Sequence, residues 1–197
     1  MANIPETREI DPIICERCAE QGPTCCRLDP GMEEFCFPVS VKEWERILDH
    51  AGEKGSFVQE ANSSNFVDNI KRLFPREREL VDKLFPWHKF HLRLATDKQG
   101  GCVFLNSEGC TLPREARPYY CRVFPFWVTG NRINVFTPAT CLAVKAGKNL
   151  RGIRQAMGIS EAEIRDLHDR LRMAWGLPPR EGMALLEQSF TQYTKIR

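Results

Sequence analysis

The sequence predicts an α+β protein that is mostly helical, with short strands and hairpins. Two observations predict the helices. Apolar residues recur at helical spacing in the centre and in the C-terminal part, and a Ser-x-x-Glu capping box opens such a run at Ser40 and again at Ser160. A third observation predicts strands between them, because apolar and polar residues alternate over residues 89–94.

Residues 40–85 are predicted to form a helical insert, which contains no cysteine. One helix begins after Ser40 and ends near Gly52. Residues 58–85 are expected to be helical throughout, with Pro75 opening a second helix there. The apolar stripes of these two helices are Phe66, Ile70, Leu73 and Phe74, then Leu80, Val81, Leu84 and Phe85.

The strands are expected after this insert. In the first, Phe90, Leu92 and Leu94 should face the core and the alternating residues, His91 among them, should face solvent. Residues 102–105 form a second strand, followed by a turn over residues 106–109 and a brief helix within residues 113–121, before Arg117. Two further strands, residues 126–128 and 133–136, flank a hairpin turn at Gly130.

The chain therefore divides into an N-terminal arm (residues 1–14), a domain over residues 15–145 that includes the insert, and a helical extension over residues 146–197 packed on that domain. Within the domain, residues 15–38 are expected to be a loop region. In the extension, one helix follows Ser160, and a last amphipathic helix uses Met183, Leu186 and Phe190.

The overall composition excludes several classes of protein. A net charge of +2 lacks the basic excess of a nucleic-acid binder, so we expect no nucleic-acid partner. The sequence has no apolar run of about 18 residues, so we expect no membrane-spanning helix and no membrane partner. The first residues, MANIPETREIDP, lack the basic start and apolar core of a signal peptide, which predicts a cytoplasmic protein with reduced thiols.

The cysteines carry the strongest functional signal. The chain has nine, an odd number that cannot all pair within it. In a reducing compartment, clustered cysteines indicate metal binding or catalysis. The clusters are Cys15, Cys18, Cys25 and Cys26 near the N-terminus, and Cys102, Cys110 and Cys121 in the centre, with Cys36 and Cys141 outside them.

The N-terminal cluster allows more than one arrangement. Cys15 and Cys18 have the spacing with which two thiolates grip one metal ion. The same spacing occurs in thioredoxin-like redox proteins, but the βαβ pattern of those proteins is not visible here. Cys25 and Cys26 are adjacent, and adjacent side chains of an extended chain point to opposite faces. Either a special turn brings them together, or they bind two different metals, or only one of them is a ligand.

The number of cysteines fits one or two metal sites. Cys36 is set aside as a buried free thiol, which leaves eight, or two sets of four. Four thiolates satisfy one tetrahedral zinc or one iron–sulfur cluster, and the spacing does not separate these cofactors. The predicted metal ligands are Cys15, Cys18, Cys25, Cys26, Cys102, Cys110, Cys121 and Cys141. The fold is thus expected to surround a cysteine-rich metal site.

Several of these cysteines stand in longer motifs. They are Cys15-x2-Cys18 with Cys25-Cys26, Gly101-Cys102-Val103-Phe104-Leu105, Gly109-Cys110, Arg117-Pro118, and Cys121-Arg122-Val123-Phe124-Pro125-Phe126, followed by Cys141. In this combination residues 15–141 resemble the CxxCxxCC cysteine-cluster family, described as zinc- or iron-chelating domains. Six residues precede the double cysteine here, a longer gap than the family name implies. The resemblance implies metal chelation and assigns no reaction.

The sequence therefore predicts a cytoplasmic metal-binding protein whose partner is a metal ion or cluster. One alternative is an iron–sulfur redox enzyme or electron-transfer protein. Another is a thiol-based redox or metal sensor that acts through a protein partner. Arg117 and Arg122 lie among the cysteines, where they could neutralise thiolates, bind an anionic substrate, or simply be solvated at the surface.

Overall fold

The structure, a computed structural model, describes residues 14–22, 24–52 and 56–180, and over these residues the fold is α+β, as predicted. The α-helices are α1 (Ile14–Glu20), α2 (Val41–Ala51), α3 (Ser64–Leu73), α4 (Arg78–Leu84), α5 (Tyr119–Val123), α6 (Leu142–Gly147), α7 (Leu150–Met157) and α8 (Glu161–Ala174). A 3-10 helix spans Glu33–Phe35. The predicted helix around residues 183–190 and nearly all of the predicted N-terminal arm lie outside the described residues.

The strands form three antiparallel pairs. They are β1 (Phe57–Ala61) with β2 (Phe90–Leu94), β3 (Leu105–Asn106) with β4 (Gly109–Cys110), and β5 (Phe126–Thr129) with β6 (Arg132–Val135). In the first pair Phe57 lies opposite Leu94, and in the last Phe126 lies opposite Val135. The strand predicted over residues 89–94 and the hairpin turn at Gly130 are both confirmed.

Both predicted capping boxes are present. The Ser40 side chain accepts a hydrogen bond from the backbone N–H of Glu43 at the start of α2, and Ser160 and Glu163 repeat the arrangement at the start of α8. Helix α2 ends as predicted at Gly52, which adopts the left-handed conformation with φ 66°.

Several predicted boundaries were wrong. Residues 15–38 are not a loop throughout, because α1 carries Cys15 and Cys18. Residues 58–85 are not all helical, since most of β1 lies within them and pairs with β2 some thirty residues later. Helix α4 begins at Arg78 rather than at Pro75, and the brief helix α5 follows Pro118 instead of preceding Arg117. Of residues 102–105, only Leu105 lies in a strand.

The two faces of β2 were also assigned wrongly at its N-terminal end. Phe90 is 67% exposed, whereas His91 and Arg93 are each 7% exposed. The ring of His91 stacks on Phe66 with centroids 3.8 Å apart, and Arg93 forms an ion pair with Glu60 of β1. A tertiary contact and a charged partner on the neighbouring strand therefore override the alternation of hydrophobicity.

The apolar interior consists of two clusters. The larger one draws on α3, α4, α8 and β5, and includes Phe66, Ile70, Phe74, Trp127, Leu171 and Trp175. The smaller one contains Val39, Ile47, Leu94, Phe104, Leu112 and Ala116. Cys102 and Cys110 pack against the smaller cluster and Cys141 against the larger, so the cysteine-bearing segments border both. No helix among the described residues is long and apolar enough to span a membrane.

Candidate metal centre

The eight predicted ligands come from six short segments of the chain. Cys15 and Cys18 lie on α1, Cys25 and Cys26 in a turn, Cys102 just after Gly101, Cys110 on β4, Cys121 on α5, and Cys141 at the N-cap of α6. Helix α1 packs against both β4 and α6, so it is the element that joins the early and late segments.

Helix α1 presents its two cysteines on one face, because residues three apart in a helix are neighbours on its surface. Strand β4 approaches this helix very closely at Gly109. A side chain at Gly109 would place its Cβ 3.1 Å from the Cα of Glu16, and Gly109 also has a φ of 114°. The glycine therefore allows Cys110 to lie beside α1.

The adjacent pair Cys25 and Cys26 occupies the two central positions of a tight turn. The backbone N–H of Arg27 donates to the carbonyl oxygen of Thr24 at 3.1 Å, and the N–H of Cys26 donates to the Thr24 hydroxyl oxygen at 3.1 Å. The two thiols lie close enough to form a hydrogen bond with each other. The turn therefore places the two sulfurs side by side, an arrangement that fits ligands of one metal and ligands of two neighbouring metals alike.

Backbone hydrogen bonds fasten this turn to the central block of the sequence. The N–H of Cys102 donates to the carbonyl oxygen of Cys26 at 2.8 Å, and the N–H of Leu28 donates to that of Gly100 at 2.9 Å. A Cβ at Gly100 would lie 1.8 Å from the carbonyl oxygen of Leu28, so a larger residue cannot occupy that position without moving the backbone. The two predicted groups of cysteines thus meet through tertiary contacts.

The thiols of this region influence each other electrostatically. Burial is the main cause of the raised pKa values of Cys15, Cys102, Cys110 and Cys121, and it raises the pKa of Cys102 to about 12. In all four the negative charge of a neighbouring Cys26 thiolate adds to the effect. Cys18 and Cys141 act in the same way on Cys15. All eight predicted ligands therefore belong to one interacting group.

Cys26 is the acidic member of the group. A hydrogen bond from the Cys25 thiol is the main cause that lowers the pKa of Cys26 to about 7, and the positive charge of Arg117 lowers it further against the effect of burial. The same hydrogen bond raises the pKa of Cys25 well above its usual value. At neutral pH a substantial fraction of Cys26 is the thiolate, the form that binds metals.

Arg117 is held in place at the centre of the group. Its Nε donates to the carbonyl oxygen of Leu112 at 2.9 Å and one Nη donates to that of Cys110 at 3.4 Å. Its charge also opposes the effect of burial on the pKa of Cys15 and Cys110. Of the roles considered for Arg117, the neutralisation of thiolates agrees with this position.

Cys36 lies closer to the group than its sequence position suggested. Its thiol donates to the carbonyl oxygen of Leu94 at 3.8 Å, and its charge contributes to the raised pKa values of Cys102 and Cys121. The spacing of the cysteines contained no signal for this, because Cys36 reaches the group only through the folding of β2 beside it.

A cavity of about 350 Å³ opens beside the cysteines. Its lining includes Cys15, Cys110 and Cys121, together with Arg114, Arg117 and Arg122. Cys15 and Cys121 are exposed by surface area but have raised pKa values caused by burial, since they line a concave space surrounded by protein atoms.

The group fits a thiophilic metal by its chemistry more than by its present geometry. Soft thiolate ligands select zinc, copper(I) or iron–sulfur clusters, and the eight predicted ligands are all free cysteines. Among the described residues, however, no three Cys, His, Asp or Glu side chains are arranged so that they could hold a metal ion. Binding would therefore require the thiols to move closer together, which is common where metal binding is coupled to folding.

Comparison of the chain with protein-family models, with curated proteins and with solved structures found no match. The resemblance to the cysteine-cluster family consequently remains a prediction that depends on the motifs given above.

Proposed function

We propose that this chain is a cytoplasmic metal-binding protein that holds zinc or an iron–sulfur cluster through the thiolates of its clustered cysteines. The observation that carries the proposal is the series of electrostatic interactions that links eight cysteines, from Cys15 to Cys141, with Cys26 acting on five of them (Cys15, Cys25, Cys102, Cys110 and Cys121). Six segments separated in sequence would have little reason to bring so many thiols together for packing alone.

The charge balance of the group supports a cation as its partner. Burial and the charges of neighbouring thiolates raise the pKa of Cys102 and Cys121, so these two thiols by themselves stay protonated at neutral pH. A bound metal ion reverses this effect because it stabilises the thiolates directly and releases their protons. Cys26, with a pKa of about 7, would be the first to bind.

The interactions divide the ligands into two sets of three around the adjacent pair. Cys15 is influenced by Cys18 and Cys141, whereas Cys121 is influenced by Cys102 and Cys110. Cys25 is influenced by both Cys15 and Cys121. One member of the adjacent pair added to each set gives four thiolates twice, which favours two metal ions or a cluster bound between the two sets.

In this proposal the metal serves mainly to organise the fold. Zinc would supply a cross-link between the six segments, and an iron–sulfur cluster would supply the same cross-link together with one-electron redox chemistry.

The direct test is elemental analysis and an absorption spectrum of the protein purified without oxygen. A colourless protein with stoichiometric zinc supports a structural zinc site. A brown protein with iron, sulfide and charge-transfer absorption supports an iron–sulfur cluster. Protein that contains neither metal, and takes up neither zinc nor iron and sulfide when reconstituted, would contradict the proposal.

Single substitutions test the assignment of the ligands. We expect Cys102→Ser or Cys121→Ser to lose metal and to lower the thermal midpoint, because each removes a ligand from the same set. The matched control is Cys36→Ser, which should retain the metal. Unchanged metal content and midpoint in both ligand variants would refute the assignment, and loss of metal in Cys36→Ser would show that Cys36 belongs to the ligand set.

A further inference from the structure

The cavity beside the cysteines has a positively charged wall formed by Arg114, Arg117 and Arg122. Arg117 is engaged with backbone carbonyl groups and with the thiols. Among the described residues, neither of the other two arginines forms an ion pair with a carboxylate. Glu16 also lines the cavity, but within the described residues it forms no ion pair with any of the three.

Arg122 lacks an adequate partner in the described part of the chain. Its one hydrogen bond there is long, from Nη1 to the carbonyl oxygen of Glu115 at 3.4 Å. Its Nε is buried and has no hydrogen-bond partner. The guanidinium lies over the ring of Tyr119 at 5.7 Å, and the guanidinium of Arg46 lies over the same ring at 4.8 Å. Two positive charges thus share one aromatic ring, and neither forms an ion pair with a carboxylate in the part of the chain that the structure describes.

Three other partly buried arginines of this protein are paired with carboxylates. Arg93 is paired with Glu60, Arg172 with Glu77 at 2.8 Å, and Arg170 with Asp166 at 2.7 Å. Arg122 differs from these three, because its partly buried guanidinium shares the ring of Tyr119 with Arg46 and forms no ion pair with a carboxylate among the described residues. The charge of Arg122 is therefore both partly desolvated and repelled by its neighbours, a situation that a bound anion would relieve.

We propose that Arg122, together with Arg114, binds the oxyanion group of a small molecule in this cavity, either a carboxylate or a phosphate. The planar guanidinium donates paired N–H groups that match both kinds of oxyanion. The cavity volume of about 350 Å³ is sufficient for a small ligand. The rest of the ligand would then lie beside Cys15, Cys110 and Cys121. Only its placement next to a metal rests on the proposed function, and the binding of the anion does not.

The test compares anion binding by the full-length protein and two variants. Inorganic phosphate and malonate are titrated separately, by calorimetry and by thermal midpoint, at an ionic strength held constant with sodium chloride. We expect one of the two anions to bind and to raise the midpoint above that in chloride alone. Phosphate alone identifies a phosphate group, and malonate alone identifies a carboxylate. Arg122→Gln should raise the dissociation constant of the anion by about tenfold or more, since a charge-assisted hydrogen bond is lost.

Arg151→Gln is the matched control, because Arg151 is an exposed arginine on α7 that does not line the cavity. It should bind the anion as the original protein does. In the absence of anion, Arg122→Gln should keep its midpoint, since the substitution removes a repelled charge. Arg114→Gln changes an exposed position and should weaken anion binding without any effect on folding. It replaces Arg122→Gln as the test variant if Arg122→Gln does not fold.

The proposal is overturned if neither anion binds more tightly than chloride, or if Arg151→Gln weakens binding as much as the cavity variants do. Metal content is measured on the same samples. Anion binding without metal would contradict the metal proposal alone, and a full complement of metal without anion binding would contradict the anion site alone.

Discussion

In the larger apolar cluster, aromatic side chains from helices and a hairpin fill the interior, whereas the cysteine region is held by turns and two-residue strands. Phe74 shows the first arrangement: it is 2% exposed, and its ring centroid lies 5.4 Å from that of Trp127 and 6.1 Å from that of Trp175. Cys102 shows the second arrangement. Its backbone N–H donates a hydrogen bond to the carbonyl oxygen of Cys26, and the charges of other thiolates raise the pKa of its thiol.

Under the proposed function, the two regions would obtain their stability from different sources. Burial of apolar surface stabilises the aromatic core without any further component. In the cysteine region, burial and the charges of neighbouring thiolates raise the pKa of Cys121, and in the proposed function a bound cation would offset this effect by stabilising the thiolates. If the metal proposal is correct, the cysteine region should depend on metal and the aromatic core should not.

Of the changes considered, removal of metal is therefore expected to lower stability most, and only in the cysteine region. In small zinc peptides, metal binding contributes on the order of 10 kcal/mol to folding. After treatment with a chelator, hydrogen exchange followed by mass spectrometry should show loss of protection in residues 24–36 and 100–112 and retained protection in α3 and α8. An equal loss in both regions would remove the distinction between them.

Phe74→Ala tests the opposite case. Truncation of this buried ring should lower the free energy of unfolding by about 3–5 kcal/mol, because a large aromatic contact is lost and a cavity remains. Urea denaturation measures the loss, and the metal content per folded molecule should not change. Phe90→Ala is the control: at 67% exposure it should cost no more than about 0.5 kcal/mol.

Glu43 connects α2 to the segment that carries Cys121, so its removal should affect both stability and the metal centre. Its Oε1 accepts from the backbone N–H of Tyr119 at 2.7 Å, and its Oε2 accepts from the N–H of Ser40 at 2.9 Å. Glu43→Ala leaves these donors unsatisfied and should cost about 1–3 kcal/mol, with a weaker metal affinity. Glu43→Gln retains the packing and one acceptor and should lose less; a loss equal to that of Glu43→Ala would show that one acceptor oxygen and the side-chain volume contribute nothing, against this account.

A smaller effect, on the pH dependence of the free energy of unfolding, is expected from His168 in the aromatic core. It is 1% exposed, its ring centroid lies 4.6 Å from that of Trp127, and neither ring nitrogen has a hydrogen-bond partner among the described residues. Burial is the main cause that lowers the pKa of His168 to about 3, and the charges of Arg180 and Arg172 lower it further. The unfolded chain therefore binds a proton below about pH 6.5 that the folded protein does not bind, and stability is lost as the pH falls.

Between about pH 7.5 and pH 6, this histidine should account for a loss of about 1 kcal/mol in the free energy of unfolding. His168→Leu should remove that part of the pH dependence, and urea denaturation of both proteins at the two pH values measures the difference. His91, whose pKa burial lowers to about 4, remains in both proteins and its contribution cancels. Parallel pH profiles would show that His168 does not titrate as described.

Features that depend on neighbours in sequence were predictable. The capping boxes at Ser40 and Ser160 need only two residues three positions apart, and the hairpin turn at Gly130 needs only the turn and its flanking strands. Strand β1 was not predictable in this way, because it exists through pairing with β2. The burial of His91 likewise depends on Phe66, which lies on a different element.

The sequence by itself determined the α+β class, the chemistry of the cysteines and their number. Only the tertiary structure decided that they belong to one group, that the turn after Thr24 brings Cys25 and Cys26 side by side, and that Arg122 lies beside a cavity without a carboxylate partner among the described residues. The physical reason is the range of the interactions. Residue spacing determines what a segment can form locally. Segments far apart in the chain are joined by backbone hydrogen bonds, such as that from Cys102 to Cys26, and by close contacts, such as that of Gly109 with α1.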